Sequence, residues 1–211
     1  MGRIYKQLYV NIGDGKSQRN RLNISRALNE YMYVYRLDPL ENVWHGINVV
    51  ALLHRARRDG VTLPGLPNAD ELAEAVLAAM PARWRNDIER AREKNEPTPA
   101  HMPAFDVATA LEALIALGRY PEAQAAAVEY AGLPDADEFE FASTLRQMEE
   151  VWQFDEKSEP GSWLLPILRA ARLRRKGSFL DLQLDTVRTD LASIQRFVRD
   201  FDPDRVGTLS W

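Results

Sequence analysis

Asn48 stands one helical turn before Ala51 and Leu52, so a helix through this segment turns its amide toward the same apolar face. A buried amide without a partner costs on the order of 1–3 kcal/mol. Asn48 therefore bonds either a neighbouring helix end or a ligand. Arg146 and Gln147 lie on a helix whose apolar stripe is Phe141, Leu145, Met148 and Trp152. Arg146 could pair with Glu112, or it could meet an anion in a concave groove, where a guanidinium offers planar, bidentate recognition. Tyr5, Tyr31, Tyr35 and Trp44 supply aromatic surface, either as core or as a platform on which a base could stack.

Other chemistries have little to work with. The chain has no cysteine and three histidines, His45, His54 and His101, none of them in a nucleophile-elbow or metal-helix motif. His45 and His54 are nine residues apart, roughly on opposite faces of one helix, so they do not form a ligand pair. The run Gly13-Asp14-Gly15-Lys16-Ser17 lacks the first glycine of the P-loop spacing and reads as a turn. The expectation is a chain that is not an enzyme, with no catalytic residue, no metal ligand and no cofactor.

The elements that must position these residues are helices. Glycine and proline divide the chain into about eight or nine segments whose apolar residues recur at three- and four-residue spacing. Ile24, Ala27, Leu28, Tyr31, Met32 and Tyr35 form one stripe that ends at Asp38-Pro39. The next helix runs from about Trp44 to Arg58 and stops at Gly60. A long segment from Leu72 to Ala91, capped by Asn68 or Asp70, should break or restart at Pro81. Further helices are expected over roughly Phe105 to Leu117, from Pro121 onward, around Phe141 to Trp152, and around Trp163 to Ala171. Val187, Leu191, Ile194, Val198 and Phe201 mark a last one. Leu180, Leu182 and Leu184 alternate with polar residues and read as an extended linker or an isolated edge strand.

With 211 residues, 45% of them hydrophobic and 27% charged, and a net charge of -4, the composition is that of a folded globular chain. No apolar stretch approaches the ~20 residues that span a bilayer, and no secretory start precedes the first helix. A cytoplasmic location is expected, without membrane insertion. The mildly acidic balance argues against general nucleic-acid binding. The basic cluster Arg169, Arg172, Arg174, Arg175 and Lys176 is read as cations at a helix C-terminus, where they offset the macrodipole.

Repeat signals then set the architecture. Leu117-Gly118-Arg119-Tyr120-Pro121-Glu122-Ala123 resembles the turn and second-helix start of a tetratricopeptide repeat, and Ala27, Tyr31 and Pro39 reproduce the spacing of the second helix in another copy. The fold class expected is all-α: residues 1–211 as a single tetratricopeptide-like array of helical hairpins, an α-solenoid. A resemblance covers most of the chain. It is carried by Gly2-Arg3-Ile4-Tyr5-Lys6, Tyr31 to Pro39, Gly46-Ile47-Asn48, Ala108 to Ala113 before Gly118, and Leu145-Arg146-Gln147-Met148. These blocks resemble the divergent tetratricopeptide region known as the TRAF-binding region of mitogen-activated kinase kinase kinases, and its bacterial relatives, the tetratricopeptide-repeat sensor domains of conflict systems. The resemblance implies a fragment of a larger multidomain protein. It implies a regulatory sensor that recognises a nucleotide-like or other anionic small molecule and controls a linked effector domain or partner protein. It places Lys6 beside Asn48, Arg146 and Gln147 in the ligand pocket, with Glu112, Tyr5 and Tyr31 nearby. The alternative is a docking scaffold that holds a peptide or helix in the same groove.

Overall fold

A computed structural model describes residues 1–15, 17–63 and 65–175. Among these residues eight α-helices follow one another: α1 (Gly2–Ile12), α2 (Gln18–Leu37), α3 (Val43–Arg58), α4 (Ala69–Glu93), α5 (Ala104–Ala116), α6 (Tyr120–Gly132), α7 (Glu138–Arg146) and α8 (Gly161–Arg175). A π-helical turn, Gln147–Val151, continues α7. The segments of alternating leucines and of Val187 to Phe201 lie outside the described residues, as does Lys176.

The helix starts follow local chemistry. Ser17 Oγ accepts the Asn20 amide at the head of α2, and Asn68 Oδ1 accepts the amides of Asp70 and Glu71 at the head of α4. Asp137 and Glu140 form a reciprocal capping box at the head of α7. Pro121 occupies the first turn of α6. Gly118 makes the turn between α5 and α6 with φ 68°, a left-handed conformation that a side chain would strain.

Consecutive helices from α1 to α6 pack against one another, as do α7 and α8. α3 also packs on α5, and α6 on α8. The result is an all-α array of helical hairpins. Small residues bring the helices close: a Cβ on Gly46 of α3 would lie 2.8 Å from Tyr35 of α2 and from Val76 of α4. Ala27, Ala123 and Ala127 are fully buried. The continuous core includes Ile24, Leu28, Ile47, Leu52, Leu111, Phe141, Met148 and Leu164.

Two features depart from the sequence expectation. α4 does not break at Pro81 but runs through it as one helix of 25 residues. An interior proline costs ~3 kcal/mol or more, and here the flanking packing outweighs it. Val76 and Met80 are buried before the proline. Beyond it, Arg83 donates to both carboxylate oxygens of Asp106 at 3.0 and 3.1 Å and to the carbonyls of Leu40 and Glu41. The second departure is the π-helical turn after Arg146, for which regular spacing of Phe141, Leu145, Met148 and Trp152 left no sign.

Candidate functional site

The odd-numbered helices line a concave pocket of about 520 Å³. α1 contributes Arg3, Lys6 and Gln7; α3 contributes Trp44, Ile47 and Asn48; α5 contributes Phe105, Ala108, Thr109 and Glu112. The far wall is Tyr130, the turn residues Asp135 and Asp137, the α7 face from Phe139 to Arg146, and Gln147, Glu150 and Val151 of the π-turn.

A chain of hydrogen bonds crosses this floor. Lys6 Nζ donates to Asn48 Oδ1 at 2.7 Å and to Gln147 Oε1 at 3.0 Å. Gln147 Nε2 donates to Glu112 Oε1 at 2.8 Å, and the same oxygen accepts Trp152 Nε1 at 2.6 Å. Asn48 Nδ2 donates to the Trp44 carbonyl, one turn back in its own helix. Every polar group of Asn48 thus has a protein partner, as a buried amide requires.

Burial disfavours both charges in this network. It lowers the Lys6 ammonium to about 8, against the raising influence of Glu112 and Glu150 and with a further lowering by Arg3. Burial also raises the Glu112 carboxyl, opposed by the bonds from Gln147 and Trp152 and by the charge of Lys6. No direct ion pair joins the two: Gln147 stands between them.

Five of the residues singled out in the sequence, Lys6, Asn48, Glu112, Arg146 and Gln147, line this one pocket. Arg146 does not pair with Glu112, whose accepting oxygen is taken by Gln147 and Trp152. It is exposed at the mouth, and neither it nor Arg3 has a hydrogen-bond or ion-pair partner among the described residues. Tyr5 and Tyr31 do not line the pocket. Tyr31 is 3% exposed in the core, edge-on to Trp44 at 5.7 Å, with Lys6 Nζ 5.9 Å from its ring centroid. Tyr5 packs against the core with the Arg26 guanidinium over its ring. The aromatic surface of the pocket itself comes from Trp44 and Phe105, whose rings lie 6.3 Å apart, and from Tyr130 and Phe139.

The carboxylates on the far wall have other duties. Asp137 and Glu140 are spent in the capping box, Asp135 accepts the Ala104 amide at the head of α5, and Glu150 accepts Gln7 Nε2. The basic cluster of α8 is likewise engaged. Arg169 pairs with Glu149 and Glu156, Arg172 with Glu138, and Arg174 and Arg175 donate to the carbonyls of Ala131 and Leu133.

Sequence reasoning missed three contributors. Trp152 reads as core in the apolar stripe, yet its indole N–H is the second donor to Glu112. Arg55 and Arg58 of α3 donate to the carbonyls of Glu150 and Val151 and so receive the end of the π-turn from behind. Their only signal is their position in the last turn of α3, which by itself suggests dipole compensation. Among the described residues no three His, Asp or Glu side chains gather as a metal-binding group, and no helix is long and apolar enough to cross a membrane. Comparison with protein-family models, with curated proteins and with solved structures gives no match for this chain.

Proposed function

We propose that this chain is a regulatory sensor module whose pocket takes a small anionic, nucleotide-like ligand and whose occupancy controls a linked effector domain or partner protein in a bacterial conflict system. One observation carries the ligand class. The part-buried amine of Lys6 and the guanidiniums of Arg3 and Arg146 line one concavity; the two arginines have no partner among the described residues, whereas each carboxylate of the lining, Glu112 included, already accepts a hydrogen bond from the protein. A phosphate meets an arginine through two parallel hydrogen bonds, and the rings of Trp44 and Phe105 offer a base a face to stack on. A cavity of about 520 Å³ falls in the range of small-molecule sites. The effector and the conflict system rest on the resemblance of the five sequence blocks.

A thermal-shift screen of nucleotides and cyclic nucleotides tests this reading. A ligand that binds only the folded state adds about 2.7 kcal/mol at a hundredfold excess over its Kd. Arg146→Ala should abolish the shift and leave the helical circular dichroism unchanged. Equal binding by the variant would remove Arg146 from the site, and no shift with any nucleotide would remove the ligand class.

One observation favours the second reading, a peptide-docking scaffold. Phe105 and Phe139, on opposite walls of the pocket, are 43% and 66% exposed, as anchors for an apolar side chain would be. On that reading Phe139→Ser weakens capture of a peptide, and nucleotides give no shift.

A further inference from the structure

Helix α1 has three sides. Arg3, Lys6 and Gln7 line the pocket, Gly2 and Tyr9 are buried in the core, and Ile4, Leu8 and Ile12, each one turn after the last, stand on the remaining side. These three are between 39% and 58% exposed. Beside them α2 runs antiparallel to α1: Gly2 stands against Glu30 and Tyr31, and the Tyr9 carbonyl accepts Asn20 Nδ2. In that register Leu8 is level with Leu22, which is also exposed, and Ile4 with Arg26. The Arg26 guanidinium, 5.4 Å from the Tyr5 ring centroid, bridges the two helices on this side. Exposed apolar residues scattered singly need no explanation, but a continuous patch marks an interaction site. An array of hairpins covers such a face with further helices, because an uncovered outer face is otherwise polar. None of the described helices covers this one.

The charge around the seam points to the occupant. Residues 1–37 carry seven Lys and Arg against two Asp and Glu, in a chain whose net charge is -4. Arg19 and Arg26 share the edge of α2 with Leu22, Arg21 and Arg36 are exposed on the same helix, and none of the four has a carboxylate partner among the described residues. By contrast Arg83, Arg90, Arg119, Arg169 and Arg172 are all ion-paired. The carboxylate on this edge, Glu30, lies at the end of the seam beside Gly2.

From this arrangement we propose that the α1–α2 seam docks an acidic amphipathic helix of a partner protein, with its apolar side chains on Ile4, Leu8, Ile12 and Leu22 and its carboxylates on Arg19 and Arg26. A guanidinium meets a carboxylate through two parallel hydrogen bonds, and arginine, not lysine, is the cation enriched at protein interfaces. Three other occupants fit less well. A second copy paired by a two-fold axis sets arginine against arginine. The chain's own stretch 187–201 has three Arg against two Asp and brings no acidic surplus. An anionic membrane answers the charge, but Arg19, Arg26 and Glu30 stand along the apolar row and would have to enter the acyl boundary with it. The seam is turned away from the pocket, and the proposal does not depend on the pocket's ligand.

The probe is a fluorescein-labelled helical peptide of about 18 residues, with leucines at i, i+3, i+4 and i+7 spacing and glutamates on both flanks. A control peptide has lysine at every glutamate. Anisotropy with the full chain should show binding of the acidic peptide alone, weakened about tenfold by Leu8→Ser, as for loss of a central anchor. Arg19→Glu combined with Arg26→Glu should abolish it. A photoreactive group on the acidic peptide should cross-link to α1 or α2 of the wild-type chain, which decides the site even if a variant fails to fold. No binding of the acidic peptide, equal binding of the lysine peptide, or cross-linking only at the pocket walls overturns the proposal. Dimerisation lost with Leu8→Ser in sedimentation assigns the seam to a second copy and overturns it too. Binding to phosphatidylglycerol vesicles in place of the peptide assigns the seam to a membrane, with the same consequence.

Discussion

At the scale of single residues the pocket floor is one connected polar network, and its energetics are those of buried charge. Glu112 accepts from Gln147 and Trp152 through one oxygen. Glu112→Leu strands both donors and removes the charge that supports Lys6, and the expected loss is about 3–5 kcal/mol of unfolding free energy, read by urea denaturation. Glu112→Gln retains an acceptor and should cost far less, while the Lys6 ammonium falls below its present value of about 8, measured by NMR titration of the amine. A linkage follows for Lys6 itself. Its folded pKa is depressed, so the unfolded chain binds the proton more tightly; stability contributed by this group is present above the unfolded value of 10.5 and lost as pH falls through about 8. Wild type should therefore gain stability relative to Lys6→Met between pH 8 and 10.5, and denaturant midpoints across that window measure the difference. Tyr31 and Tyr130, each pushed up to about 12, oppose the gain in both proteins and cancel in the comparison.

Elements decide where those residues stand. The π-turn Gln147–Val151 brings Gln147 to the pocket and Trp152 to Glu112 in consecutive turns, and π-turns often occur at functional sites. Its last carbonyls would be orphaned without Arg55 and Arg58. Arg58→Ala should cost about 1.5–3 kcal/mol, the range for a hydrogen bond to a charged group. It should also speed hydrogen exchange at the amides of Trp152 and Phe154, which bond to Gln147 and Met148 at the turn. Gly46 sets the position of α3, and with it Asn48. Gly46→Ala places a methyl 2.8 Å from Tyr35 and Val76, so calorimetry should show a loss of about 1–3 kcal/mol from overpacking.

For the molecule as a whole, hairpins stacked in sequence order need a few ties between non-adjacent segments, and Arg83 is one. From α4 it holds Asp106 of α5 and the carbonyls of the turn between α2 and α3. Asp106 is 1% exposed, so Asp106→Ala removes the buried carboxylate partner of the Arg83 guanidinium and leaves it the two carbonyls and a 3.5 Å contact with the more exposed Glu41. The expected loss is about 3–5 kcal/mol, with the unfolding transition broadened if the two halves of the array part company.

The sequence by itself determined the helices, because apolar residues at three- and four-residue spacing can be buried together only on one face of a helix. It also determined the cap at Asn68 and the turn at Gly118 and Pro121, where the chemistry is local. Asn48, Glu112 and Gln147 were legible as polar residues on or near inward faces, but which of them bond which was not. Lys6 lies 42 residues from Asn48 and 141 from Gln147, and only stacking α1, α3, α5 and α7 side by side makes them neighbours. The passage of α4 through Pro81 and the π-turn after Arg146 were also decided tertiarily. In each, the packing of neighbouring elements and arginine bonds to distant groups outweigh what the local residues prefer, and such bonds leave no periodicity to read.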